Sequence, residues 1–259
     1  MIELRALLET ARQQLREKKT LSQKGGLFLL WVYYAFAETY DLFTLSTIRD
    51  EIRYKKYLSD KPTAINFVQR YFPADFSKKA KVLDAGCGRG RVAAMLSQLG
   101  YDVVGIDIKK NEFWHKIPSQ NFVVADVQNI PVKDALFDVC VSFLILEYIA
   151  DDEKGLKEIY RVLKSDGWFI IQVTNKENLK TKFSGKRIDP THLREYSIED
   201  IKYLLKSVGF QIELIQTEGF YSPICTRFIN SILPRKQWYS LGASLPERER
   251  GVICIRSRK

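Results

Sequence analysis

The chemistry this sequence could perform rests first on three aspartates and a knot of glycines. Asp84 closes the short apolar run Val82-Leu83 and leads directly into Ala85-Gly86-Cys87-Gly88-Arg89-Gly90. Glycines in such a turn let the backbone approach a ligand closely, and the helix that follows offers free N–H groups at its start. The spacing is GxGxG; the dinucleotide fingerprint GxGxxG would need glycine where Arg91 stands, which disfavours NAD or FAD. Asp107 ends a second apolar run that begins at Tyr101, and Asp126 follows a third, Asn121 to Ala125. One aspartate at a strand end commonly serves a turn. Three of them ending successive strands point to a ligand held at the carboxyl edge of an open sheet.

The elements that would position these residues follow from hydrophobic periodicity. Between Lys81 and Val173 the pattern reads strand, glycine turn, helix (Val92 to Leu99), strand (Tyr101 to Asp107), strand (Asn121 to Ala125), strand (Phe137 to Phe143), helix (Asp152 to Leu163) and strand (Trp168 to Val173). Such alternation predicts parallel strands joined by right-handed helical crossovers, an α/β doubly wound sheet. A polar, basic stretch runs to Arg187. A helix over Ser197 to Val208 opens with Ser197 and Asp200 in capping-box positions, and two last strands cover Gln211 to Thr217 and Gly251 to Arg256. Before Lys81 the reading is helical: residues 3–19 are amphipathic, and helical pattern recurs from Leu27 to about Lys56 and from Pro62 to Tyr71.

Composition narrows the function classes. The chain has 259 residues, 46% hydrophobic and 28% charged, which excludes disordered and fibrous classes. Four cysteines (Cys87, Cys140, Cys225, Cys254) lie far apart with no CxxC pair, as expected of reduced thiols in a cytoplasmic protein. His115 and His192 are the two histidines and share no ligand spacing, so no metal is expected. The longest apolar run, Leu27 to Ala37, is too short to span a bilayer and reads as a buried helix; its Trp31, Tyr33, Tyr34 and Phe36 leave peripheral membrane contact open. The net charge of +10 divides into +5 for residues 1–80, −2 for 81–174 and +7 for 175–259, so the basic balance belongs to the flanks.

With these motifs in place, the stretch from Lys79 to Phe210 resembles the class I S-adenosylmethionine-dependent methyltransferases, in particular the group that includes ubiquinone- and menaquinone-type enzymes. The resemblance is carried by DxGCGxG at Asp84–Gly90, by Asp107, by Ala125-Asp126-Val127 with Ile130-Pro131 and Phe137-Asp138-Val139, by Leu146-Glu147-Tyr148-Ile149, and by Arg161-Val162-Leu163-Lys164-Ser165-Asp166-Gly167. It implies a Rossmann-like seven-stranded sheet, six strands parallel and the last antiparallel. Residues 1–75 would form a helical N-terminal extension, and residues 76–259 the cofactor-binding domain, with cap segments at 175–196 and 219–246. It further implies S-adenosylmethionine as cofactor. Asp84, Gly86, Cys87 and Gly88 would wrap its methionine end, Asp107 its ribose hydroxyls, Asp126 and Val127 its adenine, with Ile108 and Phe143 completing the set. The segment Asp189-Pro190-Thr191-His192-Leu193-Arg194-Glu195-Tyr196-Ser197 resembles one that lies beside substrate in related enzymes. This makes His192 the candidate general base, with Arg187, Arg194 and Tyr196 as candidate grips for an acidic substrate. Tyr148 replaces the family's common histidine, so no base is carried over there.

A small or amphipathic acceptor is expected. The fourth strand ends in Ser142-Phe143-Leu144-Ile145 and lacks the (D/N)PP(Y/F) box of amino-methylating nucleic-acid enzymes, and no Pro-Cys or Thr-Cys pair supplies a nucleophile for pyrimidine carbon. A tRNA- or rRNA-modifying enzyme, favoured by the basic flanks, and a non-catalytic S-adenosylmethionine-binding protein are the alternatives. No sequence feature specifies the oligomeric state.

Overall fold

The computed structural model describes residues 61–74, 76, 77, 79–117, 121–219 and 243–259. The helices expected at 3–19 and 27–56, the aromatic run at Leu27 to Ala37, Cys225 and most of the 219–246 cap lie outside these residues.

Seven strands form one sheet: β1 (Lys81–Ala85), β2 (Asp102–Asp107), β3 (Asn121–Val124), β4 (Phe137–Phe143), β5 (Leu163–Thr174), β6 (Gln211–Glu218) and β7 (Val252–Arg258). Their spatial order is β3-β2-β1-β4-β5-β7-β6. Pairings among β1 to β5 are parallel, whereas β7 runs antiparallel to both β5 and β6. The six-parallel, last-antiparallel expectation therefore holds. The strand order reverses between β1 and β4, and the crevice at the carboxyl ends of those two strands is where open α/β sheets bind ligands.

Side chains alternate across the sheet and build a core on each face. Leu83, Ile106, Phe169 and Ile171 turn toward α3 (Asp152–Val162) and α5 (Ile198–Val208), meeting Leu156, Ile159, Ile201 and Leu205. Val82, Val103, Val141 and Ile170 turn toward α1 (Lys61–Tyr71) and α2 (Arg91–Ser97), meeting Ala64, Tyr71, Val92 and Met95. The capping box at α5 is formed: Ser197 Oγ accepts the Asp200 N–H at 3.1 Å and Asp200 Oδ2 accepts the Ser197 N–H at 2.9 Å.

Two expectations need correction, and one helix falls within an expected cap segment. Among the described residues the crossovers on the β3 side hold no α-helix: between β2 and β3 they show one 3-10 turn at Trp114–Lys116, and between β3 and β4 no helix. The latter connection is ordered by Arg161 of α3, which donates to Ile130 O (2.9 Å) and Val132 O (2.8 Å) and pairs with Asp134 (2.6 Å) and Glu158 (2.8 Å). The basic stretch after β5 contains a short helix, α4 (Leu179–Ser184), capped by the Asn178 side chain on the Thr181 N–H at 3.0 Å and closed by Gly185 at φ 65°. Finally, β5 begins at Leu163 instead of Trp168, where Phe137 pairs with Leu163 ahead of a register shift, and Asp166 takes φ 61° within it.

Candidate active site

The glycine turn between β1 and α2 is held by hydrogen bonds from several directions. The N–H groups of Gly86 and Cys87 both donate to Ile106 O of β2, at 2.8 and 2.9 Å, and Gly90 N–H donates to Cys87 O. Gly86, Gly88 and Gly90 have φ of 76°, 50° and 77°, a backbone region that favours glycine. They differ in surroundings. A Cβ on Gly86 would lie 2.4 Å from Ile145 Cγ1, and one on Gly90 2.5 Å from Ile117 Cδ1, whereas one on Gly88 would meet nothing within 4 Å. The turn is thus packed at its ends and open at its middle.

The three aspartates occupy the carboxyl ends of adjacent strands. Asp84 is buried beneath the turn, with one oxygen lacking any hydrogen-bond partner. Burial pushes its carboxyl up to about 7, opposed by Arg91 and by the Ala93 N–H that it accepts, with Asp107 adding to the rise. Asp107 ends β2, its Oδ2 accepting the Gly88 N–H at 2.8 Å and its Oδ1 the Lys109 N–H at 3.1 Å. Each carboxylate oxygen carries two lone pairs, so both retain capacity toward a ligand. Ile108 beside it is 65% exposed, an apolar side chain set on the rim. Asp126 accepts from the backbone and side chain of Gln128 at 2.8 to 3.1 Å, which orders its turn.

The other expected residues have these surroundings. The Cys87 thiol is buried and pushed upward by burial and by Asp84 and Asp107, which keeps it protonated; its backbone is what shapes the turn. Val127 is buried in the core on the α3 side, and the Phe143 ring packs 5.5 Å from both Phe67 and Tyr71 of α1. Just beyond Phe143, Leu144 takes φ 57°, and the following Ile145 leans on Gly86, so the end of β4 directly flanks the glycine turn.

His192 lies in the segment after α4, 5% exposed, with Nδ1 3.0 Å from Glu195 Oε1 and its ring edge-on to Tyr148 at 4.9 Å. Glu195 Oε1 also accepts the Ile188 N–H at 2.7 Å. The segment is tied to the residues following β4. Leu193 N–H donates to Glu147 O at 2.8 Å, Arg194 to Ala150 O at 2.8 Å, and Tyr196 OH to Asp152 Oδ2 at 2.8 Å. Glu147 is fully buried. One of its oxygens accepts the Thr174 N–H and the other has no partner, and burial raises its carboxyl despite that bond. The expectation that Arg187, Arg194 and Tyr196 grip substrate is not met: Arg194 pairs with Asp152 at 2.9 Å, Tyr196 is buried on the same carboxylate, and Arg187 donates to His192 O at 2.5 Å. His115 is solvent-exposed.

Trp114 and Glu195 were not singled out by sequence reasoning. Trp114 Nε1–H donates to Gly88 O at 2.8 Å, and its ring stacks on Phe122 at 4.9 Å and 11°. A tryptophan in a short connection between strands, whose indole N–H needs a partner once buried, is the signal that was available.

Residues 83–171 match the family model described as a methyltransferase domain. Over these residues the chain is similar to the methyltransferase-domain family. A Mycolicibacterium smegmatis protein named "Probable S-adenosylmethionine-dependent methyltransferase" is 30% identical over 138 residues, 51% of this chain and 52% of that protein. The chain spans about half the length of the curated relatives it matches first. Among solved structures, an S-adenosylmethionine-dependent methyltransferase from Archaeoglobus fulgidus superposes with a TM-score of 0.56 at 22% identity, covering 80% of this chain and 98% of that one. The Burkholderia thailandensis 1,6-didemethyltoxoflavin-N1-methyltransferase, solved with bound 1,6-didemethyltoxoflavin and S-adenosylhomocysteine, gives a TM-score of 0.52 at 20% identity, covering 88% of this chain and 89% of that one. These likenesses establish the methyltransferase fold. Among the described residues no helix is long and apolar enough to cross a membrane.

Proposed function

We propose that this protein transfers a methyl group from S-adenosylmethionine to a small or amphipathic acceptor by in-line displacement. The observation that carries the reading is the set of three aspartates at successive strand ends around a glycine turn that is open at its middle. The residues present fit the cofactor. The partnerless buried oxygen of Asp84 suits an ammonium group, the partly exposed carboxylate of Asp107 suits a ribose diol, and Ile108 offers an apolar surface to a purine. Gly86, Cys87 and Gly88 would hold the methionine end, while Asp126, with Val127 behind it, would meet the adenine edge. Phe143 supports that site through its packing with α1.

When bound, the cofactor supplies an electrophilic methyl group on a sulfonium. What remains for the chain is to hold the acceptor in line, exclude water and, for a protonated acceptor, take up a proton. His192 is our candidate for the last task. Glu195 Oε1 faces its Nδ1 and already accepts one N–H, so in the neutral imidazole Nδ1 carries the hydrogen and Nε2 the lone pair. Tyr148 and Leu193, 42% and 50% exposed beside it, favour an apolar or amphipathic acceptor. The segment 175–196 would form part of its cover.

Calorimetric titration with S-adenosylmethionine and S-adenosylhomocysteine, NAD serving as control, tests the reading. Micromolar binding of the first two alone is expected. Asp107→Ala should weaken it tenfold or more in a folded protein. Wild-type affinity in that variant would sink the site assignment. Against an identified acceptor, His192→Ala should lower turnover while leaving cofactor affinity unchanged.

A further inference from the structure

Of the residues in the glycine turn, Gly88 is the one held at both of its polar groups by side chains from elsewhere in the chain. Its N–H donates to Asp107 Oδ2 and its carbonyl accepts from Trp114 Nε1, each at 2.8 Å. Gly86 and Cys87, by contrast, fasten their N–H groups to the backbone of β2. Gly88 is also the residue whose Cβ position is open space. The indole itself is fixed: it is 8% exposed, stacks on Phe122, and sits in a 3-10 turn whose Phe113 ring lies under Arg89 of the glycine turn at 5.5 Å and under Lys116 at 4.9 Å. That turn stands where a crossover helix was expected.

We infer that Trp114 is a positioning residue for the cofactor, setting the Gly88 peptide through its indole N–H so that the turn is pre-shaped before ligand arrives. This rests on the cofactor reading above. Glycine populates several backbone regions at little cost, so a turn released on one side spends only part of its time in the binding shape. Apparent affinity falls by that fraction. Trp114→Phe keeps an aromatic ring on Phe122 while removing the donor together with part of the ring volume.

The test is titration of S-adenosylhomocysteine into wild type, Trp114→Phe and, as control, His115→Gln, an exposed residue in the same turn. Alongside it, the melting temperature of each protein would be measured without ligand, as would the wild-type Trp114 indole N–H resonance through the titration. The expected result is five- to tenfold weaker binding in Trp114→Phe, the factor for roughly one neutral hydrogen bond. The control should match wild type, the melting temperature should be nearly constant, and the indole resonance should shift on binding. Unchanged affinity in Trp114→Phe, or a loss that merely tracks a fall in melting temperature, overturns the inference while leaving the cofactor reading intact. Absence of binding to the folded wild type overturns both.

Discussion

At the scale of single residues, Asp84 shows how a carboxylate can be costly to the fold and useful to a ligand. Its folded value of about 7 lies above the ordinary aspartate range, and burial is the main cause. Below about pH 4 the group is protonated whether the chain is folded or not. Between about pH 4 and pH 7 the unfolded chain releases the proton first, so the contribution to stability declines across that window and levels off above it. Asp84→Asn should therefore melt higher than wild type at pH 8, by a free energy of roughly 4 kcal/mol at most, with the difference vanishing near pH 4. It should also bind cofactor more weakly. Thermal melts of both proteins across pH 4–8 measure this; a constant offset would contradict the burial argument. The glycines divide in a similar way. Gly86→Ala drives a methyl into Ile145 and should cost about 1 to 3 kcal/mol of stability. Gly88→Ala meets no neighbour and should cost about 1 kcal/mol from its left-handed backbone, yet weaken cofactor binding roughly tenfold by filling the open middle of the turn. Paired melting and titration experiments separate the two. Asp84, Asp107 and Asp126 were legible in the sequence because a strand end and a glycine turn are local signals. Trp114 was not, because its hydrogen bond to Gly88 exists only once two separate turns meet, and Glu195 was not, because its contact with His192 lies in an irregular segment that carries no hydrophobic period.

At the scale of elements, the strands were legible because their apolar runs are bounded by glycines and charges, and the end of β4 matched to the residue. The crossovers were less so. Periodicity announces a helix that buries one face, and α4 has just six residues, four of them polar or basic, in the sequence Leu-Lys-Thr-Lys-Phe-Ser. Its cap at Asn178 and its stop at Gly185 define it better than any pattern of hydrophobicity does. The connection between β3 and β4 lacks a helix, and one guanidinium makes several of the hydrogen bonds that hold it. Arg161 offers five N–H donors in a fixed fork, and it uses them on two carbonyls and two carboxylates. Lysine cannot reproduce that geometry. Arg161→Lys should lower stability by about 1 to 3 kcal/mol and loosen residues 125–136, seen as faster amide exchange there than in β1 or β4. Equal exchange in both proteins would show that the connection is held by something other than the fork.

At the scale of the whole sheet, the carboxyl edge is joined to α1 through Glu218, the last residue of β6. Tyr71 and Arg70 of α1, Gln172 of β5 and Cys254 of β7 all direct hydrogen bonds to its buried carboxylate. Four elements far apart in sequence therefore meet on one side chain. Glu218→Gln keeps the shape and weakens the charged bonds, with an expected loss of about 1 to 2 kcal/mol. A lower urea midpoint at unchanged slope would report it, and a wild-type midpoint would mean that the four donors contribute no net stability.

The place of β7 has a consequence for how the chain is made. Because β7 lies between β5 and β6, β6 leaves the ribosome without a neighbour to pair with, and must wait while residues 219–251 and then β7 itself are synthesised. At about 5 to 20 residues per second that wait lasts roughly two to eight seconds. During it β6 and α5 are nascent chain with an unpaired edge, a window in which a chaperone or another copy of the chain competes with the final strand.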